Sequence, residues 1–251
     1  PMDTPSRRCG RMFKARIFPE AKHLESAVTA LLADELRRAP DAPSALMLAG
    51  GRTPLAAYAQ LAAAPLAISG RWHALYSDDR HVPTSDPRSN AGVVSPLLHR
   101  AGLPAARILQ VDGTRPLDVA AADYHEALAA FLAAGGRVPL GLLGLGADGH
   151  TASLFSGAHV AAGHGRWAQA VARPDGLNGV SVTADFLARV DRLVFLVTGA
   201  EKRDAARLLL TRPDQVAAGL AVAGAPRVEV WFDQAAWPLD PDPARTAPRQ
   251  A

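Results

Sequence analysis

The sequence predicts an α/β fold, a three-layer α/β/α sandwich built on a mostly parallel, Rossmann-like sheet. Short apolar, β-prone runs recur along the chain, each followed by a turn rich in Gly, Asp or Pro and then by a longer Ala- and Leu-rich amphipathic stretch. The short runs are continuously apolar, as in strands covered by helices on both faces. With 251 residues, 49% of them hydrophobic, the chain can bury a sizeable core without a disulfide or a metal.

In chain order, residues 12–18 read as a strand and 20–38 as a helix whose Leu24, Val28, Leu31 and Leu32 share one face. Residues 44–49 open the next unit, and a helix through Leu55, Tyr58 and Leu61 follows. Further strands fit 72–77, 107–111, 140–145, 192–198 and 228–232, most of them followed by a helix-like segment. There is no repeat of fixed period and no linker long enough to separate domains, so a single domain is expected over 12–238, with loose ends at 1–11 and 239–251.

Composition narrows the function. The apolar runs fall short of the roughly 20 residues that span a bilayer, and Arg7, Arg8 and Arg11 are not followed by a signal-like apolar segment. A cytoplasmic protein without a membrane partner is therefore expected. Cys9 is the one cysteine, which excludes internal disulfides and thiolate clusters. A net charge of +3, with arginines scattered along helical segments, does not favour nucleic acid.

In open sheets of this kind, ligands bind beyond the carboxyl ends of the strands, so the turns there are where chemistry is expected. Gly50-Gly51-Arg52-Thr53-Pro54 joins a strand to a helix; its glycines admit close backbone approach, and the free amides of a helix start favour an anion. Asp78-Asp79-Arg80-His81-Val82-Pro83, with Ser89-Asn90 shortly after, crowds two carboxylates and an arginine suited to clamping phosphate. Residues 144–155 contain G-x-G-x-x-G after a strand, the dinucleotide fingerprint. That reading fails because Asp148 would face a pyrophosphate and the following helix is broken at Ser156-Gly157. What remains is His150 beside Asp148, an imidazole with a carboxylate neighbour, suited to taking a proton from water. Lys202 stands at a helix start, where a cation is unfavourable unless it meets an anion.

These four turns, with Thr198-Gly199-Ala200-Glu201-Lys202 as the last, resemble in order and spacing the 6-phosphogluconolactonases, over residues 12–232. The resemblance implies hydrolysis of 6-phospho-D-glucono-1,5-lactone without metal or cofactor, on a fold shared with amino-sugar-phosphate isomerases. It implies His150 as general base with Asp148 in support, Arg80 and Lys202 as phosphate ligands, and Gly50, Gly51, Arg52, Thr53 and Asp78 around the substrate. A metal set of Asp78, His81, Asp148 and His150 is not diagnostic. The sequence departs from the family in Asp79, where glutamate is usual, in Arg52, where serine is frequent, and in lacking an arginine just before the strand that begins at Asn178. Arg52 or Arg173 is the expected substitute for that arginine. Two alternatives remain: a glucosamine-6-phosphate deaminase or isomerase, which would carry Asn-Glu-Pro where this chain has Ser153-Leu154-Phe155-Ser156, and a sugar-phosphate sensor without catalysis. Neither composition nor motif decides between monomer and homodimer.

Overall fold

A computed structural model describes residues 13–64 and 66–238; Met12, Cys9 and the segments 1–11 and 239–251 lie outside the described residues. The chain forms β1 (Phe13–Phe18), α1 (Ala21–Leu36), β2 (Ser44–Leu48), α2 (Arg52–Ala63), β3 (Trp72–Tyr76), β4 (Asp78–Arg80), α3 (Asn90–Arg100), β5 (Ile108–Leu109), α4 (Leu117–Ala133), β6 (Arg137–Gly144), α5 (Gly157–Ala162), β7 (Ala168–Ala172), β8 (Asn178–Val182), α6 (Ala184–Leu187), β9 (Leu193–Val197), α7 (Arg203–Thr211), α8 (Ala217–Ala221) and β10 (Val228–Asp233).

Every strand expected from the apolar runs enters one seven-stranded sheet of order β1-β10-β9-β6-β2-β3-β5. All its pairings are parallel. The run at 107–111 keeps only two residues as strand, at the sheet edge beside β3. The central strands β2 and β9 are buried at every position, as continuous apolar runs require.

Alternation along each strand divides the core. Leu46 and Leu48 of β2 and Val194 and Leu196 of β9 pack with α1, α2 and α3 on one face, around Tyr58, Trp72 and Tyr76. Ala45, Met47, Phe195 and Val197 point the other way, against α4 and the segments from β7 to α8. Each large apolar side chain so buried contributes roughly 1.5–3 kcal/mol.

A second sheet, of order β4-β8-β7 and antiparallel, is not predicted by the sequence, which offers only the strand beginning at Asn178, here β8. Its β4 is Asp78-Asp79-Arg80, three charged residues without apolar periodicity, so nothing in their pattern marks a strand. The chain passes directly from the main sheet into this ribbon: the Ser77 amide donates to Leu48 O at 2.8 Å, and Ser77 O accepts from the Val182 amide at 2.9 Å. The ribbon thereby brings the ends of β3 and β8 together.

Candidate active site

The sheet changes its direction of growth at the β2/β6 pair. From β2 the chain crosses to β3 on one side, and after β6 it proceeds to β9 on the other. Loops leaving two such neighbours diverge and open a crevice at the carboxyl ends of the strands. A cleft of about 300 Å³ lies there; Gly50, Gly51, Asp78, Arg80, His150 and Lys202 are among its lining residues.

The first loop is held from behind. Tyr58 on α2 donates its hydroxyl to Ala49 O at 3.0 Å and accepts from the Ala49 amide at 3.2 Å, which fixes the end of β2. Burial pushes this hydroxyl far above its ordinary range, so it stays neutral. Gly51 adopts φ +103°, a conformation that favours glycine. At Gly50 a side chain would collide with the amide group of Asn90. Arg52 is exposed and lines an adjoining groove with Arg80 and Arg88, and Thr53 shares a 2.8 Å hydrogen bond with Thr198, tying the first loop to the last. Neither Arg52 nor Thr53 is among the residues lining the cleft itself.

In the second loop the two adjacent carboxylates point in different directions. Asp79 turns inward and accepts from the amides of Arg80 (2.8 Å), Asn90 (2.6 Å) and Ala91 (3.0 Å) and from the Ser89 hydroxyl (2.9 Å), so it caps the start of α3. Burial raises its carboxyl above the usual range, and these donors offset some of that rise. Asp78 faces the cleft, accepting from Ser77 Oγ at 3.1 Å and Ser153 Oγ at 2.7 Å. Arg80 donates to Arg88 O at 2.9 Å and to Asn90 Oδ1 at 3.1 Å, while its buried Nε has no acceptor among the described residues.

The glycine turn after β6 supplies the imidazole. The Gly146 amide donates to His150 O at 2.8 Å, and the Gly149 amide to Gly146 O at 3.0 Å, so the loop folds back on itself. A Cβ at Gly146 would overlap both the His150 ring and the Asp148 carboxylate. Asp148 Oδ1 lies 2.5 Å from His150 Nδ1 and accepts from the His150 amide at 3.2 Å. Burial alone would raise the Asp148 carboxyl, but the hydrogen bonds from the His150 ring and amide outweigh it and hold the carboxyl below its ordinary range. An ionised Asp148 places the imidazole proton on Nδ1 and leaves the lone pair on Nε2. Asp148 itself is not among the cleft-lining residues; it stands behind the ring. No long helix begins at this turn, and the short α5 starts only at Gly157.

Lys202 closes the fourth side. It ends a 3₁₀ turn, Ala200–Lys202, directly before α7, and among the described residues it makes no ion pair. The lining thus combines Arg80 and Lys202, neither paired with a carboxylate among the described residues, with Arg173, His150 and a single carboxylate, Asp78. The excess of positive charge suits an anionic ligand. Among the described residues no group of three or more His, Cys, Asp or Glu is arranged to hold a metal ion. His81 points elsewhere, with Nε2 2.7 Å from Arg115 O.

Three residues at this site have weak sequence signals. Ser153 bridges the third loop to Asp78, and Phe155 packs against the His150 ring at 4.5 Å centroid distance. Both belong to the third motif, yet their residue types announce no chemistry. Arg173, offered by the sequence only beside Arg52 as a substitute for the arginine missing before Asn178, lines the cleft where Arg52 does not, because β7 and β8 form a hairpin that sequence spacing does not display.

The chain matches, over residues 19–231, the family described as glucosamine-6-phosphate isomerases/6-phosphogluconolactonase. The 6-phosphogluconolactonase of Haemophilus influenzae is 32% identical over 204 residues, covering 78% of this chain and 85% of that one. A solved structure of the Thermotoga maritima 6-phosphogluconolactonase has TM-score 0.74 at 23% identity, over 88% of this chain and 100% of that one. A monomeric glucosamine-6-phosphate deaminase has TM-score 0.74 at 18% identity, over 89% and 98% of the two chains. At such identities the two solved structures speak for the fold, and the fold alone does not select the reaction.

Proposed function

The chain belongs to the glucosamine-6-phosphate isomerase/6-phosphogluconolactonase family, and on that premise we propose that it hydrolyses 6-phospho-D-glucono-1,5-lactone to 6-phospho-D-gluconate, a step of the oxidative pentose phosphate pathway. One observation carries this reading: an imidazole oriented by a carboxylate opens onto a cleft whose Arg80 and Lys202 make no ion pair among the described residues. His150 Nε2 takes a proton from water as the water oxygen attacks the lactone carbonyl. The tetrahedral intermediate collapses with cleavage of the bond to the ring oxygen, and the imidazolium returns its proton to the departing oxygen. Asp148 stays ionised throughout and stabilises the imidazolium. Arg80 and Lys202 hold the phosphate; Gly50 and Gly51 line the cradle beside them, Thr53 braces that loop, and Arg52 adds a cation from the adjoining groove. Asp78 presents an acceptor to the sugar hydroxyls.

The deaminase alternative is disfavoured by the same lining. Phe155 packs on the imidazole, and Asp78, the one carboxylate of the cleft, is engaged by Ser77 and Ser153, so no free acid stands ready for ring opening of an amino sugar. The reading needs no resident cofactor. It places the reaction in the cytoplasm, in a single domain over 12–238, with neither nucleic acid nor membrane as a partner. No helix among the described residues is long and apolar enough to cross a membrane.

The test is a coupled assay of the purified protein with freshly generated lactone, run beside an ammonia-release assay with glucosamine 6-phosphate. Formation of 6-phosphogluconate above the spontaneous rate, without ammonia release, is expected. Ammonia release without lactone hydrolysis would overturn the proposal.

A further inference from the structure

Arg173 is built into the cleft more firmly than any other cation there. Its side chain is 9% exposed, yet it lines the cleft. Nε lies 3.2 Å from both oxygens of Asp175, and Nη2 donates to Asp175 Oδ2 at 2.9 Å. Nη1 donates to Ser153 Oγ at 2.7 Å and lies 3.7 Å from Asp78 Oδ2. A guanidinium has five N–H groups, so these bonds leave one on each terminal nitrogen without a hydrogen-bond acceptor among the described residues.

The stem of Arg173 reaches this position across Gly179, which pairs with Val171 in the β7/β8 hairpin. A Cβ at Gly179 would stand 3.1 Å from Arg173 Cδ, 3.0 Å from Asp79 O and 3.5 Å from Ser153 Oγ. The absence of a side chain at 179 is what gives the arginine its path. The guanidinium carbon lies 5.3 Å from the centre of the Phe155 ring, and the His150 ring packs on that same ring at 4.5 Å. Arg173 thus shares the Phe155 ring with the imidazole, while Gly179, over which its stem passes, pairs on its other side with Arg80 of β4.

We propose that Arg173 is a substrate-contacting residue that donates to the carbonyl end of the sugar, to the lactone oxygen during attack and to the carboxylate of the product. The inference rests on the lactonase reading above and adds to it the donor that stabilises the developing oxyanion. Asp175 and Ser153 fix the guanidinium before substrate arrives, so little reorganisation remains for the reaction itself. Phosphate binding stays with Arg80 and Lys202.

The test compares two competitive inhibitors of lactone hydrolysis, 6-phosphogluconate and glucitol 6-phosphate, which share chain length and phosphate but differ in the carboxylate. In Arg173→Gln the inhibition constant of 6-phosphogluconate is expected to rise about tenfold or more, that of glucitol 6-phosphate to change by less than about threefold, and kcat to fall. An equal rise for both inhibitors, or no rise for either, would overturn the proposal. Should the glutamine variant fail to fold, Arg173→Lys keeps a cation near Asp78 but loses the fork, and the same ratio decides. Gly179→Ala gives an independent reading, since it crowds the stem of Arg173 while leaving the guanidinium chemistry intact; a shift of the same ratio in the same direction is expected. Wild type without lactone hydrolysis would refute the lactonase reading, whereas an active wild type with an unaltered ratio in the variants would refute only the role of Arg173.

Discussion

Asp148 and His150 are two residues apart in a turn so tight that the glycine at 146 has no room for a side chain. The carboxylate therefore stays on the Nδ1 side of the ring, and it is held ionised by the partner it orients. Asp148→Asn keeps the size but allows the amide to present a donor to Nδ1, which favours the tautomer with its proton on Nε2. A fall in kcat of about 10²-fold or more, with a smaller change in KM, is expected from steady-state kinetics. A kcat near that of wild type would show that orientation of the ring does not depend on this carboxylate. Much of the candidate site is legible at this scale because Gly50, Gly51, Arg80, Asp148, His150 and Lys202 follow shortly after the ends of apolar strands. Asp79 shows the limit of such reading: beside Asp78 in sequence, it caps α3 with its carboxylate fully engaged, so its short side chain concerns the helix start and not the substrate.

Helices act on the site through single buried groups at strand ends. Tyr58 of α2 clamps both backbone polar groups of Ala49, and Tyr124 of α4 does the same to Tyr76, donating to its carbonyl at 2.6 Å and accepting from its amide at 3.0 Å. These strand ends lead directly into Gly50-Gly51 and into Ser77-Asp78. Tyr58→Phe leaves a buried amide and carbonyl without partners, which costs roughly 1–3 kcal/mol. Urea unfolding checks the loss of stability, and kcat/KM is expected to fall with it because the first loop loses its anchor. An unchanged unfolding midpoint would mean that water replaces the hydroxyl. The apolar positions of these helices are plain in the sequence, but an amphipathic pattern does not tell which hydroxyl meets which strand end. The β4-β8-β7 sheet is hidden for a related reason: its first strand is charged and three residues long, and its pairing is decided by distant contacts.

At the scale of the whole fold, the sheet carries the candidate site at its carboxyl ends and a buried ionic cluster toward the opposite ends. There, buried Glu229 accepts from Arg192 (2.9 and 2.8 Å), Arg227 (2.6 Å) and Trp231 (3.0 Å). Burial alone would raise its carboxyl, but these donors and the charge of Arg192 hold it at about 2. A carboxyl depressed in the folded state stabilises above its unfolded pKa, and that stability is lost as pH falls toward the folded value. The stability gap between wild type and Glu229→Gln, measured by urea unfolding, is therefore expected to be constant above about pH 5.5 and to narrow progressively below about pH 4.5. A gap independent of pH would contradict the assignment. The parallel sheet and its helical layers can be read from strand-length apolar runs, whereas the crevice at β2/β6 depends on strand order, which no local pattern contains. The central claim is that one imidazole in this crevice deprotonates the attacking water, and the most direct measurement is the rate of 6-phosphogluconate formation from fresh lactone by His150→Ala beside wild type. A loss of about 10²-fold or more in kcat is predicted, with phosphate-dependent binding retained. A variant as fast as wild type would contradict the account.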